Sequence, residues 1–89
     1  MTIYVPGEIR RYTGGKVEIH ANGASVRNAL EDADRRHPGL LLSVCDETGA
    51  IRPHVNVFVN GENIKLDAGL GTPLSDRDTL HIIPAISGG

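Results

Sequence analysis

The sequence predicts an α+β fold, a mixed sheet of about five strands wrapped on one main helix. Three stretches carry that prediction. His54-Val55-Asn56-Val57-Phe58-Val59 alternates so that Val55, Val57 and Val59 share one face while His54, Asn56 and Phe58 share the other, the signature of a half-buried strand. Asn60-Gly61 follows at once, and a type I′ turn with positive φ at both central residues favours that pair, so a hairpin is expected. Between Ser25 and about Arg36, the residues Val26, Ala29, Leu30 and Ala33 recur at helical spacing and form a narrow aliphatic face suited to lying on a sheet.

The remaining elements fall into place around these. Thr2 to Val5 is rich in β-formers and is stopped by Pro6-Gly7, and Lys16-Val17-Glu18-Ile19-His20 alternates as its partner across a long, irregular turn containing Thr13-Gly14-Gly15. Ser25 is placed to cap the helix, and His37-Pro38-Gly39 ends it. Leu40 to Val44 is an apolar run too short to distinguish helix from strand, and Asp46-Glu47-Thr48-Gly49 reads as a turn. Glu62 to Leu66 is expected as the return strand after Asn60-Gly61. Gly69 to Leu74 reads as a loop with a helical turn, and Thr79 to Pro84 as the last strand. Hairpin, helix, hairpin and final strand in that order match a β-grasp, with the last strand parallel to the first because the helix supplies the crossover. Leu80 and Ile82 then face the core, while His81 and Ile83 face outward with Phe58. The expected division is a β-grasp domain over 1–84 and a flexible tail over 85–89.

Composition narrows the function. With 89 residues the chain has room for one modest core, and with Phe58, Tyr4 and Tyr12 as its aromatics that core is aliphatic. A net charge of -2 argues against a nucleic-acid binder, and the chain has no run long enough to span a membrane. The C-terminal half is the acidic one, and an acidic excess around the tail would favour a basic docking surface on a partner. Cys45 is the single cysteine, which fits a reducing, cytoplasmic setting.

The chain ends in Ala85-Ile86-Ser87-Gly88-Gly89. Glycine has no Cβ, so Gly88 and Gly89 can pass a channel too narrow for a side chain, with Ser87 following. Fully extended, these five residues reach roughly 17 Å, enough to enter a partner's active site. The Gly89 carboxylate is ionised at neutral pH and is a competent nucleophile toward the α-phosphate of a nucleotide. It becomes an electrophile only after adenylation. Phe58, Ile83 and Ile86 are candidate apolar anchors for docking, and Pro84 stiffens the exit from the sheet.

Pro6 with Arg10 and Thr13-Gly14-Gly15, then Val55 to Gly61, and above all Asp76-Arg77-Asp78-Thr79-Leu80-His81-Ile82-Ile83-Pro84-Ala85-Ile86-Ser87-Gly88-Gly89, resemble the ubiquitin-like sulfur carrier proteins of the MoaD/ThiS family. That family includes the molybdopterin synthase small subunit and the thiamine sulfur carrier. The chain is most similar to the branch that delivers sulfur for cysteine biosynthesis. The resemblance implies a protein co-substrate, with no catalytic residues and no bound cofactor of its own. A ubiquitin-activating-type enzyme would use ATP and Mg to adenylate Gly89, and a sulfide or persulfide source would displace AMP to leave a thiocarboxylate. The implied acceptor is a PLP-dependent cysteine synthase, with a metalloprotease as a further partner that releases the product. Sulfur donation to molybdopterin, thiamine or another metabolite is the alternative within the family.

Two other uses of the same chain stay open. A ubiquitin-like modifier would carry Gly89 onto a target lysine as an isopeptide, and a plain β-grasp interaction domain would tolerate deletion of Gly89. Other apparent sites are weaker. Gly14-Gly15-Lys16 lacks the frame of a phosphate loop. His20, His37, His54 and His81 lack metal-ligand spacing. Cys45 has no activating cation beside it in sequence and reads as an inert thiol, and Arg35-Arg36 complement the dipole at the helix end.

Overall fold

The computed structural model describes residues 1–66 and 68–84. Its strands are β1 (Thr2–Tyr4), β2 (Glu18–His20), β3 (Val55–Val59), β4 (Glu62–Asn63) and β5 (Thr79–Pro84), and its helices are α1 (Val26–Arg36) and α2 (Leu40–Val44). The five strands form one sheet in the order β2-β1-β5-β3-β4. β5 runs parallel to β1, with Ile3 opposite Leu80, and antiparallel to β3, with Val57 opposite Ile82. This is the expected β-grasp topology. The expected tail, with Ile86, Ser87, Gly88 and Gly89, lies outside the described residues.

The core forms where the alternation of the strands meets the periodicity of the helix. Ile3, Val57 and Leu80 are fully buried from the sheet, as are Val26, Ala29, Leu30 and Ala33 from α1. Each large aliphatic side chain so buried contributes about 1.5–3 kcal/mol relative to exposure. The Ser25 hydroxyl accepts the Asn28 amide at 3.2 Å, so the helix begins where a capping residue was expected. The ambiguous run Leu40–Val44 is a short α-helix that buries Leu40 and Val44. Asn60 and Gly61 have φ of 50° and 88°, the positive pair a type I′ hairpin turn requires.

Two expectations are corrected. The return strand expected over Glu62 to Leu66 stops after Asn63, and Ile64–Leu66 forms a 3-10 turn. The cause is the Asn63 side chain, whose Oδ1 accepts the Lys65 amide at 3.0 Å and bends the chain out of the ladder so that Ile64 is buried. The second strand begins at Glu18 rather than Lys16. Here the Lys16 carbonyl accepts the hydroxyl of buried Thr13 at 2.9 Å, which ties it into the preceding turn. The irregular turn after β1 contains a 3-10 helix, Gly7–Tyr12.

Both sheet edges are protected. At the β2 edge, Arg36 Nη2 donates to the His20 carbonyl at 2.8 Å and to Asp32 Oδ2 at 2.9 Å, while the Asn22 amide donates to the same Asp32 oxygen at 2.8 Å. At the other edge, β4 is only two residues long, too short to template another strand.

Two substitutions test this architecture. Gly39 holds φ at +101°, and a Cβ placed there would lie 2.5 Å from the Tyr12 ring. Gly39→Ala is expected to lower stability by about 2 kcal/mol or more through combined backbone strain and ring displacement, read as a fall in Tm. The Asp78 carboxylate accepts the Ser75 amide at 2.8 Å and Asn60 Nδ2 at 2.9 Å, joining the start of β5 to the β3–β4 turn. The Ser75 amide and then the Asn60 side chain hold its pKa below the ordinary value of 3.8. Because the folded-state pKa is depressed, its contribution is present above the unfolded pKa and is lost as pH falls below about 3.8 toward the folded value. Asp78→Asn is expected to reduce the acid sensitivity of the urea midpoint in that window, leaving the part due to the similarly lowered Asp32 and Asp46.

Candidate functional site

The outer face of the sheet, away from α1, is built by the residues that alternate with the core. Strand register brings Tyr4, His81 and Phe58 side by side across β1, β5 and β3, and sets Ile83 beside Asn56. The Tyr4 and His81 rings stack at 4.6 Å between centroids with an interplanar angle of 14°. Tyr4 is 38% exposed and Ile83 45% exposed, while Phe58 and His81 are half-buried. The result is a row of aromatic surface crossing the three central strands. Stacking fixes the ring of His81 against Tyr4, so the row is ordered before a partner meets it.

Phe58 and Ile83 therefore share a face, as the alternation implied. Both are on the outer surface, and Pro84 ends β5 opposite Val55. Tyr4 and His81 were not picked out as site residues from the sequence, although the signal for Tyr4 was present. It lies between Ile3 and Val5, which are both buried, so it must point outward. Its place beside His81 depends on the parallel register of β1 and β5. Leu66, 90% exposed, extends the apolar surface beyond Phe58, where a shallow groove is lined by Phe58, Gly61, Glu62, Asn63 and Leu66.

Charge is distributed differently from the expectation drawn from the acidic C-terminal half. Asp76 and Asp78 lie just before β5 begins, and Glu62 lies on the hairpin beside them. Six residues of strand separate that end from Pro84, a distance of about 20 Å. The Pro84 end instead receives the 3-10 helix that follows parallel β1 and the Arg52-Pro53-His54 lead-in to β3, which carry Arg10, Arg11, Arg52 and His54 along with Glu8, while Asp46 lies within electrostatic reach of Arg52. Neighbours in sequence are at opposite ends in space because β5 runs the length of the sheet.

The remaining candidates behave as ordinary structure. Cys45 is buried, and burial, ahead of every other influence, pushes its thiol pKa up, which disfavours the thiolate a nucleophile needs. Gly14 and Gly15 adopt positive φ to close the turn after the 3-10 helix, with the Gly15 amide donating to the Arg10 carbonyl at 2.9 Å. Arg36 does more than complement the helix end, since it also bonds to β2. Among the described residues, no group of three or more His, Cys, Asp or Glu side chains converges as a metal site, and no helix is long and apolar enough to cross a membrane.

Known proteins resemble this chain in sequence and in fold. The sulfur carrier protein CysO of Mycobacterium tuberculosis is 30% identical over 91 residues, covering 100% of this chain and 98% of the relative. The crystal structure of the Amycolatopsis orientalis BexX/CysO complex contains a chain that superposes with a TM-score of 0.92 at 35% identity, covering 99% of this chain and 98% of that one. The crystal structure of SAMP1 from Haloferax volcanii superposes with a TM-score of 0.75 at 30% identity, covering 99% of this chain and 97% of that one. These relatives are small ubiquitin-like carriers and modifiers rather than enzymes. The ThiS family model matches residues 3–89, and the chain belongs to the ThiS family.

Proposed function

We propose that this chain is a sulfur carrier whose Gly89 carboxylate is adenylated and then converted to a thiocarboxylate. One observation carries the reading: the central strand of the sheet ends at Pro84, five residues before Gly89, beside a preformed aromatic face on which a partner can seat the carrier. The full-length likeness to a protein named as a sulfur carrier supports it. In the first step a Gly89 oxygen attacks the α-phosphorus of ATP and pyrophosphate leaves. In the second, hydrosulfide attacks the acyl carbon and AMP leaves, so the carboxylate has exchanged one oxygen for sulfur. The activating enzyme supplies the site for ATP and Mg, and the carrier supplies the carboxylate, the narrow Gly88-Gly89 passage and the docking surface.

The acceptor that best fits the resemblance is a PLP-dependent cysteine synthase, with cysteine as the product that a metalloprotease then releases from the carrier. Conjugation to a lysine is the second reading, favoured by the likeness to a small archaeal modifier protein. Both share the adenylation step. The single cysteine is buried and unpaired, in keeping with work in a reducing cytoplasm.

Incubation with the cognate activating enzyme, Mg-ATP and sulfide is expected to raise the intact mass by the difference between one sulfur and one oxygen, and deletion of Gly89 is expected to abolish the gain. Adenylation without sulfur incorporation, accompanied by transfer to lysine, would favour the modifier instead. Ile83→Asp places a charge in the aromatic face without touching the core, and is expected to raise the KM for the carrier in adenylation roughly tenfold at nearly constant kcat. An unchanged KM would remove the outer face from the docking surface.

A further inference from the structure

At the Pro84 end of the sheet a second surface stands apart from the aromatic row. The 3-10 helix Gly7–Tyr12, α2 and the lead-in to β3 enclose a groove of about 340 Å³ lined by Glu8, Ile9, Arg11, Tyr12, Leu42, Ser43, Arg52 and His54. Its apolar part is Ile9 and Leu42, the latter 55% exposed, and its cationic walls are Arg11 and Arg52. Arg11 lies over the Tyr12 ring at 5.1 Å, and Arg52 Nε donates to the Leu42 carbonyl at 2.7 Å. Both guanidinium groups are thereby oriented. Among the described residues neither forms an ion pair, since the salt bridges present join Arg35 and Arg36 to Asp32. Asp46, whose carboxyl feels Arg52, is held in its own turn by the amide and hydroxyl of Thr48 and the amide of Ala50.

We infer that this groove docks an acidic segment of the activating enzyme, with an apolar side chain of that segment resting on Ile9 and Leu42 and its carboxylates meeting Arg11 and Arg52. The inference rests on the carrier reading above and adds to it a second contact surface and the chemistry of the partner. Charge complementarity supplies the argument. Two oriented guanidinium groups beside exposed aliphatic surface match carboxylates with an apolar neighbour, and arginine forms bidentate pairs with carboxylates. The position supplies the reason for the contact. The 3-10 helix follows β1, which is parallel to β5, and His54 precedes the residue paired with Pro84, so the groove adjoins the point from which the tail must be aimed. A partner held both here and on the aromatic face is fixed in orientation as well as position.

The test is ATP–pyrophosphate exchange by the cognate activating enzyme with the full chain as substrate. Arg11→Glu with Arg52→Glu is expected to raise the KM for the carrier at least about tenfold at low salt with kcat nearly unchanged. Raising salt from roughly 0.05 to 0.3 M should weaken wild type more than the variant, because the screened attraction is already gone in the variant. Arg52→Glu removes a bond to α2, so Arg11→Glu alone decides the matter if the double variant fails to fold. Arg11→Lys with Arg52→Lys should recover part of the loss. A KM for Arg11→Glu within about twofold of wild type at low salt would overturn the groove while leaving the carrier reading intact. A lowered KM would overturn the partner assignment in favour of an occupant within the chain, such as its own terminal carboxylate. Absence of exchange with wild type would overturn the carrier reading and this inference together.

Discussion

The parallel pairing of β1 with β5 is the constraint on which the rest of the structure depends. It joins the beginning of the described chain to its end, and a parallel pair cannot be closed by a tight turn. Everything between must serve as the crossover: β2 folds back on the outer side of β1, α1 covers the sheet, and β3 reaches the far side of β5. Ile3 and Leu80, opposite each other and both fully buried, sit at the centre of this arrangement. The same pairing puts β5 in the middle of the sheet. Pro84 therefore closes a strand that has two others on each side, and aromatic surface from three strands lies on the outer face.

That pairing also explains the division of charge. A strand that traverses the sheet separates its two ends by the sheet's full length, so the acidic turn before β5 and the arginine-bearing segments beside Pro84 lie at opposite ends. Arg11 and Arg52 come from segments about forty residues apart in sequence, yet the two parallel and antiparallel partners of β5 deliver both to one end. Like charges brought together in this way repel, so such a cluster persists only at a modest cost at the surface, where water screens it.

Much of the fold was legible because its signals are local and agree with one another. The alternation of Val55, Val57 and Val59, the Asn60-Gly61 turn, the Ser25 cap and the apolar stripe of α1 each specify their own conformation, and tertiary packing confirms rather than overrides them. Where the reading fell short, a side chain had intervened in the backbone. Asn63 took the Lys65 amide and ended β4, and Thr13 took the Lys16 carbonyl and delayed β2. Neither event shows in hydrophobic periodicity. The outer face was half legible for the same reason: Phe58 and Ile83 follow from alternation within strands, whereas the Tyr4–His81 stack requires knowing which strands are neighbours and in what register. The basic groove was not legible, since it is assembled from three segments with no shared pattern.

The Arg36–Asp32 clamp on β2 bears on supply as much as on structure. A carrier acting as proposed above is a substrate for its partner enzymes, and substrate pools stand near the KM of the enzymes that use them, about 1 μM to 1 mM. At such concentrations an open strand edge would recruit other copies. By occupying the His20 carbonyl and the Asn22 amide with side chains of α1, the clamp removes hydrogen-bonding groups from the edge at which neighbouring copies could add. Two residues at the end of the sheet away from Pro84 thus help set how crowded a population of this chain can become while each copy stays separate.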